Sequence, residues 1–324
     1  HWDALREVID SCVFGVDIDP IAVTLCRAAM WIEAQGGIAA DNIRVGDALL
    51  GAPLGVADTD EADRWCIERT ARSREFFHWQ HEFPLVFERG PSGGFDVVLG
   101  NPPFLNQLAT STAADRDLAG LLRDLTDGAV SGYADTAAAF LARSIDLCRP
   151  GGRVGLVQPQ SLLAAKDAGP VRAAVLRRGS LVSVWVSRGH VFDALVQTCA
   201  LTIEIAGPRR REVSRSSGPG FDPLPPADVD MDELARQPTW GPLVAIASGV
   251  PEVVVCSPRT IGDLATATAD FRDQYYGLDG FLVEDADLDA PADADFPPIV
   301  TSGLIDLAEL RWGRAPTRLL KRRW

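Results

Sequence analysis

Apolar residues in the first two thirds of the chain come in short runs, separated by longer stretches with helical spacing. The runs are VFGVDI (13–18), NIRVG (42–46), FDVVLG (95–100), RVGLVQ (153–158), LVSVWV (181–186) and TCALTIEI (198–205). Short apolar runs rich in β-branched residues and bounded by turn residues predict buried strands. Between the first two lies PIAVTLCRAAMWIEAQGG, where Pro20 suits a helix start and Gly36-Gly37 a helix end. A second helix is predicted over Ala134–Arg149, closed by RPGG. Alternating strands and helices predict an α/β fold with a doubly wound parallel sheet over residues 1–206.

The pattern breaks near residue 207. GPRRREVSRSSGPGFDPLPP is rich in Pro, Gly, Ser and charge without periodicity, which predicts a linker over 207–258. Residues 259–324 carry short strand-like and turn-like pieces with aromatics but no βα alternation, as in a second domain that begins and is not completed.

With 324 residues, 47% of them hydrophobic and 23% charged, the chain can bury a full core. No apolar run approaches the ~20 residues needed to span a bilayer, and no secretory pattern opens the chain, so a cytoplasmic protein without membrane contact is expected. The six cysteines include no CxxC pair, which suits reduced thiols better than disulfides or zinc. The net charge of −14 argues against nucleic-acid binding over the whole surface. Residues 311–324, RWGRAPTRLLKRRW, nevertheless hold six basic and no acidic residues, so any phosphate contact has to be local.

Two clusters invite a metal reading and fail it. His78 and His81 in HWQHEF lack the order of a helical zinc motif, and their Trp and Phe neighbours favour packing. In DADLDAPADAD (285–295), a calcium loop would need Gly at Ala290 and Glu at Phe296. No metal is expected.

The strand ends carry more. FGVDIDP closes a strand on Asp17 and Asp19 just before a helix, where open α/β sheets bind ligands and an acidic residue accepts from ribose hydroxyls. Asp19 serves equally well as a helix cap. RVGDALL repeats the arrangement with Asp47, which serves equally well as the cap of a turn. Two such carboxylates in series point to a nucleoside cofactor. FDVVLGNPPF then ends a strand on Asn101, with Pro102 and Pro103 stiffening the exit and Phe104 following. An exocyclic nucleobase amine is a poor nucleophile because its lone pair is delocalised into the ring. Two acceptors, the Asn101 side-chain carbonyl and the Pro102 backbone carbonyl, would hold its hydrogens and free that lone pair for in-line attack, with Phe104 stacked on the base.

With these motifs in order, the chain resembles the amino-group DNA methyltransferases that use S-adenosylmethionine, in particular the large N6-adenine methylases of type IIG restriction-modification and phage-defence systems. The carriers are FGVDIDPIAVTLCRAAMWIEA, IRVGDALL, FFHWQHEFPLVF, GGFDVVLGNPPF, PGGRVGLVQPQSLL and GHVFDALVQTCALTIEI, over roughly residues 1–206. The resemblance implies a Rossmann-like methyltransferase sheet followed by the start of a target-recognition domain over 259–324, and transfer of a methyl group to adenine N6. It assigns the cofactor to Asp17 (ribose) and Asp47 (adenine) with their neighbours Ile18 and Ala48, and to Asn101. It sets Asn101, Pro102, Pro103 and Phe104 around the target amine and Phe192 on the other face of a flipped adenine. Double-stranded DNA is the implied partner.

The Gly-rich strand-loop that would cradle the methionine part of the cofactor does not occur in the sequence. With His1 in place of methionine, this predicts an upstream part of the same polypeptide that supplies it, and poor folding and no cofactor binding without it. Other readings are a protein-glutamine or rRNA-guanine amino methyltransferase, which shares Asn-Pro-Pro-aromatic, and a non-catalytic DNA-specificity module.

Overall fold

A computed structural model describes residues 2–70, 76–90, 93–104, 113–130, 135–189, 191 and 196–245, and beyond them 259, 261–264, 299–301, 304–306, 309–312, 314, 318–319 and 322–323. The chain divides into two compact units, His1–Glu252 and Val253–Trp324. No helix among the described residues is long and apolar enough to cross a membrane.

The first unit opens with α1 (Trp2–Cys12), β1 (Gly15–Asp17), α2 (Pro20–Glu33) and β2 (Ile43–Val45). Local chemistry sets the bounds of α2. The Asp19 carboxylate accepts from the Ile21 N–H at 2.8 Å and Pro20 takes the first turn, while Gly36 at φ 81° donates back to the Trp31 carbonyl at 2.8 Å. β1 and β2 pair in parallel as a two-stranded sheet. After them come α3 (Thr59–Thr70), two single turns α4 (Trp79–Glu82) and α5 (Pro84–Phe87), β3 (Phe95–Gly100), α6 (Ala113–Leu125) and α7 (Thr136–Leu147).

Helix α7 runs directly into β4 (Cys148–Pro159), two residues earlier than its pattern predicts. The RPGG segment is looped out of the β3–β4 pairing, which jumps from Phe95↔Cys148 to Val97↔Arg153. Close packing explains the glycine at the re-entry, since a Cβ on Gly152 would sit 2.7 Å from the Cys148 sulfur and 2.8 Å from the Asp96 carbonyl. Beyond β4 lie α8 (Ser161–Ala164), α9 (Gly169–Arg178), β5 (Gly179–Val186) and β6 (Thr198–Ile205).

The α/β class stands, but the sheet is mixed rather than parallel. Six strands run in the order β3-β4-β6-β5-β7-β8, and β6 is antiparallel to both β4 and β5. The chain between Val186 and Thr198 is too short for a crossover, which takes a dozen residues or more, so β6 has to run back along β5. The stretch expected to be a linker also forms regular structure: β7 (Glu212–Ser217), β8 (Asp222–Asp228) and α10 (Met231–Arg236) extend the same sheet and its cover. Its prolines 223, 225 and 226 fall on β8, the outermost strand, where no neighbour needs their missing N–H groups. The main core packs Val154, Leu156, Leu181, Leu201 and Ile203 of the sheet against Leu141, Ile145 and Val175 of the helices.

In the second unit the described residues form two antiparallel pairs, β9 (Ile305–Asp306) with β10 (Glu309–Leu310) and β11 (Arg318–Leu319) with β12 (Arg322–Arg323).

Candidate functional site

β1 and β2 lie side by side with Asp17 opposite Val45, which brings Asp17 and Asp47 to the same end of adjacent strands. Each carboxylate is held by one oxygen. Asp17 Oδ1 accepts from the Asp19 N–H at 2.8 Å, and Asp47 Oδ1 accepts from the Leu49 N–H at 3.0 Å. Among the described residues no protein donor reaches Oδ2 of either. Both groups are therefore oriented acceptors with a spare oxygen. Beside them Ile18 is 70% exposed, an apolar surface at a polar strand end. The Ala48 carbonyl accepts from the Trp79 indole at 3.0 Å. Asp19, which the sequence left open between ligand and cap, is the cap of α2.

β3 ends at Gly100, and Asn101 follows with its side chain exposed; Pro102 is buried, Pro103 exposed and Phe104 half-buried. A Cβ on Gly100 would press on Leu156 at 3.1 Å, so the strand lies tight on β4 up to the residue before Asn101.

What links these strand ends was invisible as a site in the sequence. Phe14, next to β1, and Phe95, first residue of β3, have ring centroids 5.6 Å apart. Phe83 touches both, at 5.2 and 6.3 Å, and Phe77 and Trp79 each stand 5.8 Å from Phe83. FFHWQHEFPLVF thus acts as an aromatic brace between the β1–β2 pair and β3. The density of aromatics over twelve residues was the available signal; which strands they join was not. Polar contacts fasten the same segment: the Phe77 N–H donates to the Leu50 carbonyl at 2.7 Å, and Arg44 pairs with Glu82. Gly46 and Gly51 are required by it, since a Cβ at either would fall within 2.2 or 2.1 Å of Phe77.

His78 is buried with both ring nitrogens engaged. Nδ1 accepts from the Ala52 N–H at 3.1 Å, which leaves the proton on Nε2 to donate to Asp63 at 3.0 Å. The histidine that the sequence assigned to packing is a buried hydrogen-bonding post for the loop after β2. Phe192, the acidic run 285–295 and Cys256 lie outside the described residues. Among the described residues no three metal-ligating side chains converge.

The family model described as Eco57I restriction-modification methylase matches residues 11–187. The type II methyltransferase M.XhoI of Xanthomonas vasicola is 27% identical over 156 residues, which cover 48% of this chain and 26% of that protein. Among solved structures, the methyltransferase subunit of a type I restriction-modification system from Streptococcus thermophilus aligns over 64% of this chain and 36% of its own, with 19% identity and a TM-score of 0.39. A DrdV–DNA complex aligns over 74% and 24%, with 13% identity and a TM-score of 0.44. The chain thus spans about a quarter of the curated relative it matches.

Proposed function

The chain belongs to the Eco57I restriction-modification methylase family, and from that premise we propose that it transfers a methyl group to the N6 amine of an adenine flipped out of duplex DNA. S-adenosylmethionine is the cofactor of this methylase. The observation that carries the proposal is the pair of carboxylates at adjacent parallel strand ends, each held through one oxygen and, among the described residues, free at the other, beside exposed Ile18. That donor set fits a nucleoside: a diol offers hydroxyl donors to Asp17, an adenine amine offers one to Asp47, and Ile18 offers a face for the purine. When bound, the cofactor supplies an electrophilic methyl on a sulfonium.

On this reading Asn101 and Pro102 work on the acceptor. Their two carbonyls take the two hydrogens of the adenine amine, which draws the nitrogen toward pyramidal geometry and exposes its lone pair. With its lone pair exposed, the amine would attack the methyl that the bound cofactor would supply as its sulfonium leaving group departs with the bonding pair, and the surplus amine proton would pass to water. Buried Pro102 and rigid Pro103 hold the carbonyls in position, and Phe104 with Phe192 would sandwich the base, each such stack being worth about 1–3 kcal/mol.

An upstream part of the same polypeptide belongs to the proposal. Its support is unmet surface on β1, β3 and α2. Among the described residues β1 pairs only with β2 and β3 only with β4. Val97 and Leu99 on β3 are 54% and 77% exposed, and Ile21, Leu25 and Ile32 on α2 are 65–68% exposed. An apolar parallel strand would cover both edges. The test is Asn101→Ala in the intact methylase: methyl transfer should fall by orders of magnitude while cofactor affinity, by calorimetry, falls far less, since the amide works chiefly on the target amine and Asp17 and Asp47 still hold the nucleoside. Equal loss of both would overturn the assignment.

A further inference from the structure

A cavity of about 760 Å³ opens elsewhere in the first unit and contains none of the residues discussed above as cofactor or base ligands. Its size falls within the range of small-molecule sites, roughly 300–1,000 Å³. Four guanidinium groups line it from four separate elements: Arg69 on α3, Arg123 on α6, Arg143 on α7 and Arg178 at the end of α9.

Two of these charges are met within the protein. Arg69 Nε stands 3.2 Å from Asp124, with its guanidinium 4.1 Å from the Trp65 ring centre, and Arg178 pairs with Asp146 at 2.9 Å. The other two form no ion pair among the described residues, although Asp146, already paired with Arg178, also attracts Arg143. Arg143 is 2% exposed, yet its only hydrogen-bond acceptor among the described residues is the Ala52 carbonyl, at 2.8 Å, and its Nε has no partner. The neighbouring Cys66 thiol is pushed up to about 12, chiefly by burial, so it brings no negative charge. Arg123 stands exposed at the lining and makes no ion pair among the described residues. Asp127 is the remaining acid of the lining, beside Gly128, whose N–H donates to the Arg123 carbonyl at 2.7 Å.

A buried guanidinium without a carboxylate hydrogen bond is costly in the empty protein and becomes favourable when an anion supplies the missing acceptors. We propose that this cavity is a second ligand site that receives the phosphate group of a nucleotide-sized ester, with Arg143 and Arg123 as its cationic ligands. Arginine forks match phosphate oxygens in pairs. Phosphate alone would leave most of the volume empty, and Pro53, Leu54 and the Trp65 wall provide apolar surface for the organic part.

The proposal is independent of the methyl-transfer reading. Its test is calorimetry on the intact methylase, with S-adenosylhomocysteine at saturation to fill the cofactor site. The probes are inorganic phosphate, AMP and a short DNA duplex, each against the parent, Arg123→Gln and Arg143→Lys. AMP should bind more tightly than phosphate and be displaced by it, and Arg123→Gln should weaken both by about tenfold or more while melting temperature and cofactor affinity hold. Loss with Arg123→Gln confined to the duplex would overturn the nucleotide-ester site and leave Arg123 as a contact to the DNA backbone. Arg123 is exposed, so its variant remains a fair test even where Arg143→Lys fails to fold. Affinities for all three probes that are unchanged by Arg123→Gln would overturn the proposal.

Discussion

Replacing Phe83 with Ala tests whether the aromatic brace holds the strand ends in register. The ring is 2% exposed and lies within about 6 Å of Phe14, Phe77, Trp79 and Phe95, with the Arg44 guanidinium 5.1 Å above its face. Burying about 200 Å² of ring at ~25 cal/mol/Å² corresponds to about 5 kcal/mol as an upper bound. Phenylalanine-to-alanine changes in cores cost about 3–5 kcal/mol, a large part of a total stability of about 5–15 kcal/mol. At roughly 2–4 °C per kcal/mol, the melting temperature should drop by about 6–20 °C. Cofactor affinity should fall with it, since Asp17 and Asp47 ride on the β1–β2 pair that the ring ties to β3. Phe83→Leu, which keeps most of the volume, should recover the larger share of both. Thermal melts read by circular dichroism and calorimetric cofactor titration measure the two effects. A Phe83→Ala protein melting within about 2 °C of the parent would refute the brace.

Asp17→Ala should raise the cofactor dissociation constant by about tenfold or more, as loss of a hydrogen bond to a charged group implies, with little change in melting temperature because the side chain is exposed; unchanged affinity in a titration would remove Asp17 from the site. Phe192→Ala should weaken base capture by about 1–3 kcal/mol, and less so when the target adenine faces a mismatch, where less unstacking has to be recovered. Equal losses on matched and mismatched duplexes, read by fluorescence of a reporter base, would count against that role. Burial pushes Cys66 and Cys199 up to about 12 and Cys148 to about 11 from an ordinary 9.0. The unfolded chain thus gives up thiol protons from about pH 9 while the folded chain keeps them, and stability should decline from pH 9 toward 11, by up to ~1.4 kcal/mol per pH unit for each thiol, with no contribution below pH 9. Denaturant melts between pH 8 and 10.5 read the slope, and Cys199→Ala should flatten it; an unchanged slope would show that these thiols do not govern it.

Much of the chain was legible from local pattern alone. All six apolar runs became strands or the cores of strands, and Asp19, Pro20 and Gly36 bound α2 where their backbone chemistry says they should. Asp17, Asp47 and Asn101 could be placed at strand ends because a strand end is a local event, written in a few residues around it. Partnership is not local. Nothing in TCALTIEI says that it runs backwards between two strands that are parallel to each other; that follows from the short connection before it and from which edges were left to fill. GPRRREVSRSSGPGFDPLPP looked like a linker because edge strands tolerate prolines and polar residues, and a place at the sheet edge is assigned only once the rest of the sheet exists. FFHWQHEFPLVF announced its aromatics but not the strands they would bridge. The four arginines of the cavity come from segments up to about a hundred residues apart, and only packing of α3, α6, α7 and α9 around one space brings their charges together and leaves Arg143 without a hydrogen bond to a carboxylate among the described residues. Periodicity along a chain records how each segment is buried; which segment buries it is decided by the whole fold.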